Sequence, residues 1–366
     1  MNDSFITSPL FERVERARRR KHKIRETHIT LAHGSGGRAM HDLVEGLFLE
    51  YFHNPLLDKL EDQAIFEVNG PTRIAFTTDS YVVDPIFFPG GDIGELAIHG
   101  TVNDLAMSGA RPLYLSAGFI LEEGFPIEDL RRVCASMQKA AEESGVQIVT
   151  GDTKVVQKGG ADKIFINTAG IGVIETAANI SSTRAQVGDK VIVSGTIGDH
   201  GTTIMIARGE LELETDIESD SAPLHSLVAE MMDQAEKLGA IDGIHALRDP
   251  TRGGVATTLN EIAMSSNIAI EIREELIPVR ENVRGACEIL GLDPLYVANE
   301  GKLVAIVAGE IAGAVLERMR GHEHGAGACF IGDVKAEPQG IVSMTTGFGG
   351  TRIVDMLAGD QLPRIC

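Results

Sequence analysis

The sequence closes on Gln361-Leu362-Pro363-Arg364-Ile365-Cys366, which places a thiol at the end of an arm. The arm is expected to leave the body at Thr346-Gly347-Phe348-Gly349-Gly350, where glycine leaves the backbone few steric restrictions. Pro363 stiffens the approach and removes a donor. A thiol so placed suits a group carried between sites; the plain alternative is an incidental cysteine. Carboxylates form the second set. Asp79 ends the strand-like run 73–80, Asp62 lies upstream beside Gln63-Ala64, and Asn103-Asp104 interrupt the small-residue run 94–109. A buried carboxylate needs a cation or strong donors, so Asp104 is either a ligand or a surface or capping residue. Gly151-Asp152-Thr153-Lys154 sets an ammonium two residues after a carboxylate, a pairing suited to metal and to phosphate or substrate.

Two glycine-containing loops precede helical patterns, His33-Gly34-Ser35-Gly36-Gly37 and Arg248-Asp249-Pro250-Thr251-Arg252-Gly253-Gly254. Free N–H groups and the helix dipole favour an anion at such a place. The first loop lacks the Lys-Ser/Thr of a P-loop, and a simple glycine turn stays open there. Glu300, between the apolar runs 296–298 and 303–306, is either a turn residue or a placed base. His322, His324 and Cys329 fit no standard metal spacing and read better as a surface loop than as a metal cluster.

The elements that position these groups follow from periodicity. Met40, Leu43, Val44, Leu47, Phe48 and Tyr51 mark one face of an amphipathic helix. Strands are expected over 113–121, 146–150 and 163–174, with helices over 94–109 and 126–144. Cys134 adjoins the apolar face of the latter helix and is expected in the core. A boundary is expected near 176–189. Beyond it strands at 190–194, 268–272, 303–307 and 329–334 alternate with helices at 224–238, 254–265 and 311–320. Cys287 reads as helical core and Cys329 as a structural strand residue. The basic run within residues 1–27 reads as a flexible extension, with a docking arm for an acidic partner as the alternative.

At 366 residues the chain exceeds one ordinary core, so two domains are expected. With 43% hydrophobic residues, 41 glycines and no Trp it has the profile of an α/β enzyme. The net charge of −20 argues against nucleic acid as a partner of the bulk of the chain. No apolar run approaches the ~20 residues of a membrane span, and no signal peptide is evident. The four cysteines form no CxxC pair or secreted framework, so a reducing, cytoplasmic setting is expected.

Taken in order, these segments resemble the HypE family of [NiFe]-hydrogenase maturation factors, within the PurM-like (AIR-synthetase-like) ATP-binding superfamily. The resemblance runs over about residues 28–366 and is most specific at Pro363-Arg364-Ile365-Cys366. It implies an α/β, PurM-like two-domain fold: an ATP-binding domain over 28–178 whose sheet serves dimerisation, an α/β sandwich over 179–345, and a flexible tail over 346–366. It further implies that Cys366 receives a carbamoyl group from a HypF-type carbamoyltransferase. ATP with Mg²⁺ then dehydrates the thiocarboxamide to a thiocyanate, and the cyanide passes to iron on a HypC–HypD complex. On that resemblance Cys366 is the carrier, and Lys154 and Glu300 share the catalytic roles. His33, Gly34, Ser35, Gly36, Gly37, Asp79, Asn103, Asp104, Asp152, Thr251, Arg252 and Gly253 would bind the nucleotide. Asp62, Asp79, Asp104, Asp152 and Asp249 would hold Mg²⁺. The sequence departs from the family at Glu61-Asp62-Gln63-Ala64, where small residues usually follow the acidic pair. The alternatives are another PurM-like kinase or synthetase, or a metallochaperone using His322, His324 and Cys329 with Cys366.

Overall fold

Burial alternates residue by residue along Ile164–Ile174, the signature of a strand with one covered face. A computed structural model of the chain describes residues 27–68, 72–209, 216–357 and 364–366. The basic run and Gln361-Leu362-Pro363 lie outside the described residues.

A helical turn α1 (Arg38–Leu43) passes through a π turn (Val44–Phe48) into α2 (Leu49–Phe52). The expected amphipathic stripe is broken by that π turn, whose i→i+5 bonding rotates the register. Within it only Leu43 is fully buried, while Tyr51 and Phe52 stand exposed. Strands β1 (Ala64–Val68) and β2 (Thr72–Tyr81) follow, then the short pair β3 (Phe87–Phe88) and β4 (Gly91–Asp92). Asp92 caps α3 (Ile93–Ala106) by accepting from the amides of Gly94 and Glu95. Then come β5 (Arg111–Glu122), α4 (Ile127–Glu143), β6 (Gln147–Val156) and β7 (Ile164–Ile174). These strands form one sheet in the order β1-β2-β7-β5-β6, with β5 and β6 parallel and the other pairs antiparallel.

Helix α3 packs on β2 and β7 and is buried almost throughout, small residues permitting the close approach. At Gly100 an added Cβ would stand 2.2 Å from the Tyr81 hydroxyl. The opposite face of the sheet is uncovered. Phe76, Ile171 and Tyr114 lie side by side on it across three strands, with Ile120 further along. Cys134 is exposed rather than in the core, because it sits one residue off the buried stripe of Val133, Met137, Ala140 and Ala141.

The second domain adds β8 (Lys190–Val193), α5 (Asp199–Ala207), α6 (His225–Lys237), β9 (Ile244–Arg248) and α7 (Gly254–Ser266). It continues through β10 (Ala269–Arg273), α8 (Glu281–Leu290), β11 (Val304–Val307), α9 (Gly309–Arg320), β12 (Cys329–Lys335), β13 (Ile341–Thr345) and β14 (Thr351–Val354). Its sheet runs β14-β13-β10-β12-β8-β11-β9. Strand β11 is buried on both faces, as continuous apolar runs require. Ala305 and Val307 face α6 and α9, while Val304 and Ile306 face α7. Cys287 is buried in α8 as expected.

The expected hinge at 346–350 is instead the turn of the β13–β14 hairpin. The amide of Thr346 donates to Gly350 O at 2.8 Å, and the amide of Gly347 to Glu274 Oε2 at 2.9 Å. The sheet therefore carries the chain to Val354, and Leu357 O still accepts from Arg38 N at 2.9 Å. The described chain is thus held to the body as far as Leu357.

Candidate active site

The pleat of β2 points Thr77 and Asp79 inward, where Asp104 on α3 meets them; Thr77 Oγ1 donates to Asp104 Oδ2 at 2.7 Å. Asp62, just before β1, and Asp249, just after β9, close the group around a cavity of about 350 Å³. Burial raises the carboxyls of Asp62 and Asp104 well above the usual range, and the neighbouring carboxylates add to it. Asp249 is pushed up to about 6 in the same way. Asp62 Oδ2 is buried without a hydrogen-bond partner. Four close carboxyls with an orphaned oxygen fit a hard cation. Among the described residues no three His, Cys, Asp or Glu side chains converge into a ready-made metal site.

The rest of the cavity has an apolar and a polar side. Met40, Val44, Leu56, Leu57 and Leu60 make an apolar end. Thr251, Arg252, Thr257 and Thr258, around the N-terminus of α7, make a polar one. Gly253 and Gly254 turn into that helix at φ +80° and +59°, conformations that favour glycine. Gly36, at φ +75°, abuts the Arg252 backbone, so a Cβ would fall 2.5 Å from Arg252 O. The first glycine loop thus seats against the second, and of its five residues Gly36 lines the cavity. The side chains of His33 and Ser35 turn back locally, His33 Nδ1 to Thr30 and Ser35 Oγ to Ala32 O.

One buried cation crosses this group of acids. Arg248 reaches Asp62 Oδ1 at 2.9 Å and Glu261 Oε2 at 2.8 Å, and donates to Leu60 O at 3.2 Å. Glu261 also meets His41 Nε2 at 2.9 Å. Glu61 also lines the cavity and lies 3.7 Å from Arg248, while accepting from the Ser182 amide and the hydroxyls of Ser181 and Ser182. Of the acidic pair, Asp62 is the one that keeps a buried oxygen without a hydrogen-bond partner.

The segment 364–366 folds inward. Val82 N donates to Cys366 O at 3.1 Å, and Ile365 joins the core shared by both domains. Burial pushes the Cys366 thiol far up, opposed by Arg252 and reinforced by Glu300 and Asp79, which face it. Arg364 does not contribute to that opposition and pairs with Asp162 at 2.8 Å. Glu300 is buried, its Oε1 has no partner, and burial followed by Asp79 and Asp249 raises its carboxyl well above normal.

Three expected site residues stand elsewhere in this chain. Asp152 and Lys154 pair with each other on β6, 70% and 68% exposed. They align with Gly118 and Ile120, which sets them on the uncovered face of the sheet, opposite Asp79. Asn103 is fully engaged by main chain: it donates to Ala222 O and Glu300 O and accepts from Leu224 N. It fixes the loop that carries Glu300 and does not line the cavity. His322 and His324 lie 5.4 Å apart ring to ring, but Cys329 Sγ donates to Leu276 O, away from them. Sequence reading missed Arg248 and Glu261 as site residues, although Arg248 directly precedes Asp249. It also missed His200, Arg208 and Asp220, which carry no motif.

The family model for AIR synthase related proteins matches over residues 60–174 (N-terminal domain) and 186–345 (C-terminal domain). Carbamoyl dehydratase HypE of Bradyrhizobium diazoefficiens is 56% identical over 96% of this chain and 100% of its own. That of Escherichia coli K12 is 49% identical over 92% and 99%. Among solved structures, HypE in a HypE–HypF complex is 50% identical, with TM-score 0.80, over 86% of this chain and 99% of that one. Hydrogenase maturation protein HypE in complex with ATP is 53% identical, with TM-score 0.77, over 93% and 100%. Thiamine monophosphate kinase from Aquifex aeolicus shares the fold at 20% identity, with TM-score 0.59, over 85% and 96%. With these relatives covered almost end to end and both domains matched in order, the chain belongs to the HypE family of carbamoyl dehydratases, within the AIR-synthase-related, PurM-like fold.

Proposed function

We propose that this chain dehydrates a carbamoyl group carried on Cys366, converting Cys–S–C(=O)NH₂ and ATP to Cys–S–C≡N, ADP and phosphate. The observation that carries the reading is the inward seating of the chain end: Cys366 is buried, Val82 N holds its carbonyl, and Arg252 and Glu300 shift its thiol in opposite directions, Arg252 also lining the carboxylate-rich cavity. An amide oxygen leaves poorly; phosphorylation by ATP makes it a phosphate leaving group, and loss of the nitrogen protons completes the triple bond. Such transfer is mostly positioning and charge neutralisation. Mg²⁺, held through Asp62, Asp79, Asp104 and Asp249, would neutralise the phosphate oxygens. Thr251, Arg252 and the N-terminus of α7 would hold the phosphates, and the apolar end of the cavity the base.

Glu300 would take a nitrogen proton. It is buried, burial raises its carboxyl well above the usual range, and its Oε1 has no partner in the seated state. Arg252 would face the charge growing on the carbamoyl oxygen. The seated thiol, pushed up by burial, is a poor nucleophile. Loading would then occur with the tail withdrawn, toward a HypF-type carbamoyl donor. Similarity to the HypE of a HypE–HypF complex supports that donor, and a HypC–HypD complex would be the cyanide acceptor.

The same reading gives Lys154 and Asp152 a place. An uncovered sheet face bearing Phe76, Tyr114, Ile120 and Ile171 is unusual for an isolated domain. A homodimer packed through that face would bury it, and would bring Lys154 and Asp152 of one copy toward the site of the other.

Intact-mass measurement with a carbamoyl donor and ATP tests the proposal. Cys366 should gain one carbamoyl group and then lose one water, and Cys366→Ala should do neither while still binding ATP. Dehydration activity surviving in Cys366→Ala would sink it.

A further inference from the structure

Besides the Arg364 side chain, which donates to Val82 O at 3.2 Å, and Ile365, which packs in the core, the seated tail is held at its main chain. Asp84 N donates to Arg364 O at 3.4 Å, alongside the bond from Val82 N to Cys366 O. Helix α5 supplies the remainder from its two ends. Arg208, at its C-cap, donates to Arg364 O and, through Nε, to Asp84 O at 2.6 Å. His200, in its first turn, is buried and meets Ile365 O through Nε2 at 2.8 Å.

The ring's protonation follows from its partners. Ile365 O can only accept, so Nε2 carries the proton. Ser219 Oγ accepts from Ser221 N at 3.2 Å, so its hydroxyl proton is available to Nδ1 at 2.8 Å. The next residue, Asp220, accepts from the Glu300 amide at 3.1 Å through Oδ1 and meets Lys302 Nζ at 3.1 Å through Oδ2. A hydrogen-bonded path therefore runs from the tail carbonyl through His200 and the 219–220 segment to the backbone of Glu300.

We propose that His200 is a positioning residue that couples seating of the tail to placement of Glu300, holding Ile365 O with one nitrogen and the Ser219–Asp220 segment with the other. This rests on the reading of Cys366 as the carrier. When the tail leaves, the buried Nε2–H loses its acceptor and the segment that holds Glu300 loses a restraint. When the tail returns, carrier and base are set together. Because these contacts reach main chain only, the clamp accepts Cys366 whether its sulfur is free, carbamoylated or cyanated.

Alkylation of the native protein with N-ethylmaleimide, read by peptide mass spectrometry, reports seating without requiring turnover, and nucleotide binding reports an intact fold. His200→Phe keeps a ring but loses both nitrogens. It should expose Cys366 to alkylation about tenfold faster, the effect of losing one buried hydrogen bond. It should also lower kcat for dehydration about tenfold at unchanged KM for nucleotide. His200→Gln, whose amide nitrogen reaches the Nε2 position, should restore protection and most of the rate. If His200→Phe does not bind nucleotide, Arg208→Met tests the other arm of the clamp with the same readouts. Wild-type alkylation in a nucleotide-binding His200→Phe protein, or no rescue by Gln, overturns the coupling. Failure of the carrier reading looks different: wild-type protein would protect Cys366 yet gain no carbamoyl mass on it.

Discussion

Gly301→Ala is the sharpest single perturbation this site offers. An added Cβ would stand 1.8 Å from Asp220 O and 2.9 Å from Ala222 N, both backbone atoms that no rotamer change can remove. Contacts under 3.0 Å are essentially unseen for real Cβ atoms, so the two strands of chain must part. The separation is roughly 1 Å, and displacements of that size lower turnover on the order of 100-fold when they fall on a positioned group. The neighbour that moves is Glu300, whose amide rests on Asp220 Oδ1. Gly301 does not line the cavity, so nucleotide affinity should change little. Overpacking itself should cost about 1–3 kcal/mol of stability. Single-turnover conversion of carbamoylated to cyanated Cys366, followed by intact mass, gives the rate; calorimetric titration gives nucleotide affinity. A Gly301→Ala protein with an unchanged dehydration rate would refute the placement of Glu300 as the catalytic group. Equal loss of nucleotide binding and rate would point to collapse of the cavity instead.

Arg248→Met should destabilise by about 3–5 kcal/mol near neutral pH, because it strands the carboxylates of Asp62 and Glu261. The loss should shrink on acidification. Burial holds the Asp62 carboxyl above its unfolded value, so the folded state loses stability as pH rises through the folded value, and Arg248 limits that rise. Thermal unfolding at pH 5 and pH 8 checks this; an equal gap between variant and wild type at both would contradict it. Lys154→Ala and Cys366→Ala should each abolish dehydration alone yet recover part of it when mixed subunits are refolded together, if Lys154 acts across a dimer. Tyr114→Glu should yield monomers by analytical ultracentrifugation and lose activity with them; an active monomer would place the whole site within one chain.

Periodicity located helices such as α4, which keeps one apolar stripe, and runs rich in β-branched residues located strands such as β7. It failed where local geometry intervened. The π turn at 44–48 shifts a face that reads as amphipathic. Glycines at 347, 349 and 350 read as a hinge, yet the pairing of β13 with β14 makes them a hairpin turn. The carboxylates of the cavity were legible because Asp in apolar surroundings is costly enough to need a reason. The side of the sheet on which Asp152 and Lys154 stand was not, since it depends on register across β5 and β6. His200, Arg208 and Asp220 gave no signal at all. They act through carbonyl and amide partners distant in sequence, and main-chain recognition leaves no side-chain pattern to read.

Ile365 packs with Tyr81, Ile98, Ile204 and Val297 as a full member of the core between the two domains. A residue that serves as interior filling in one state must become surface in the next if the tail is to travel. Exposing such a side chain costs about 1.5–3 kcal/mol, a weight set against every departure of the arm. A donor or acceptor that draws the tail out must therefore offer an apolar seat for Ile365 as well as chemistry for the sulfur. Each release should also carry a positive heat-capacity change, the thermal mark of oil-like surface meeting water. On the proposed carrier reading the interior would open once per delivery, and calorimetry of the tail's transfer to a partner should register the plug being pulled and refitted.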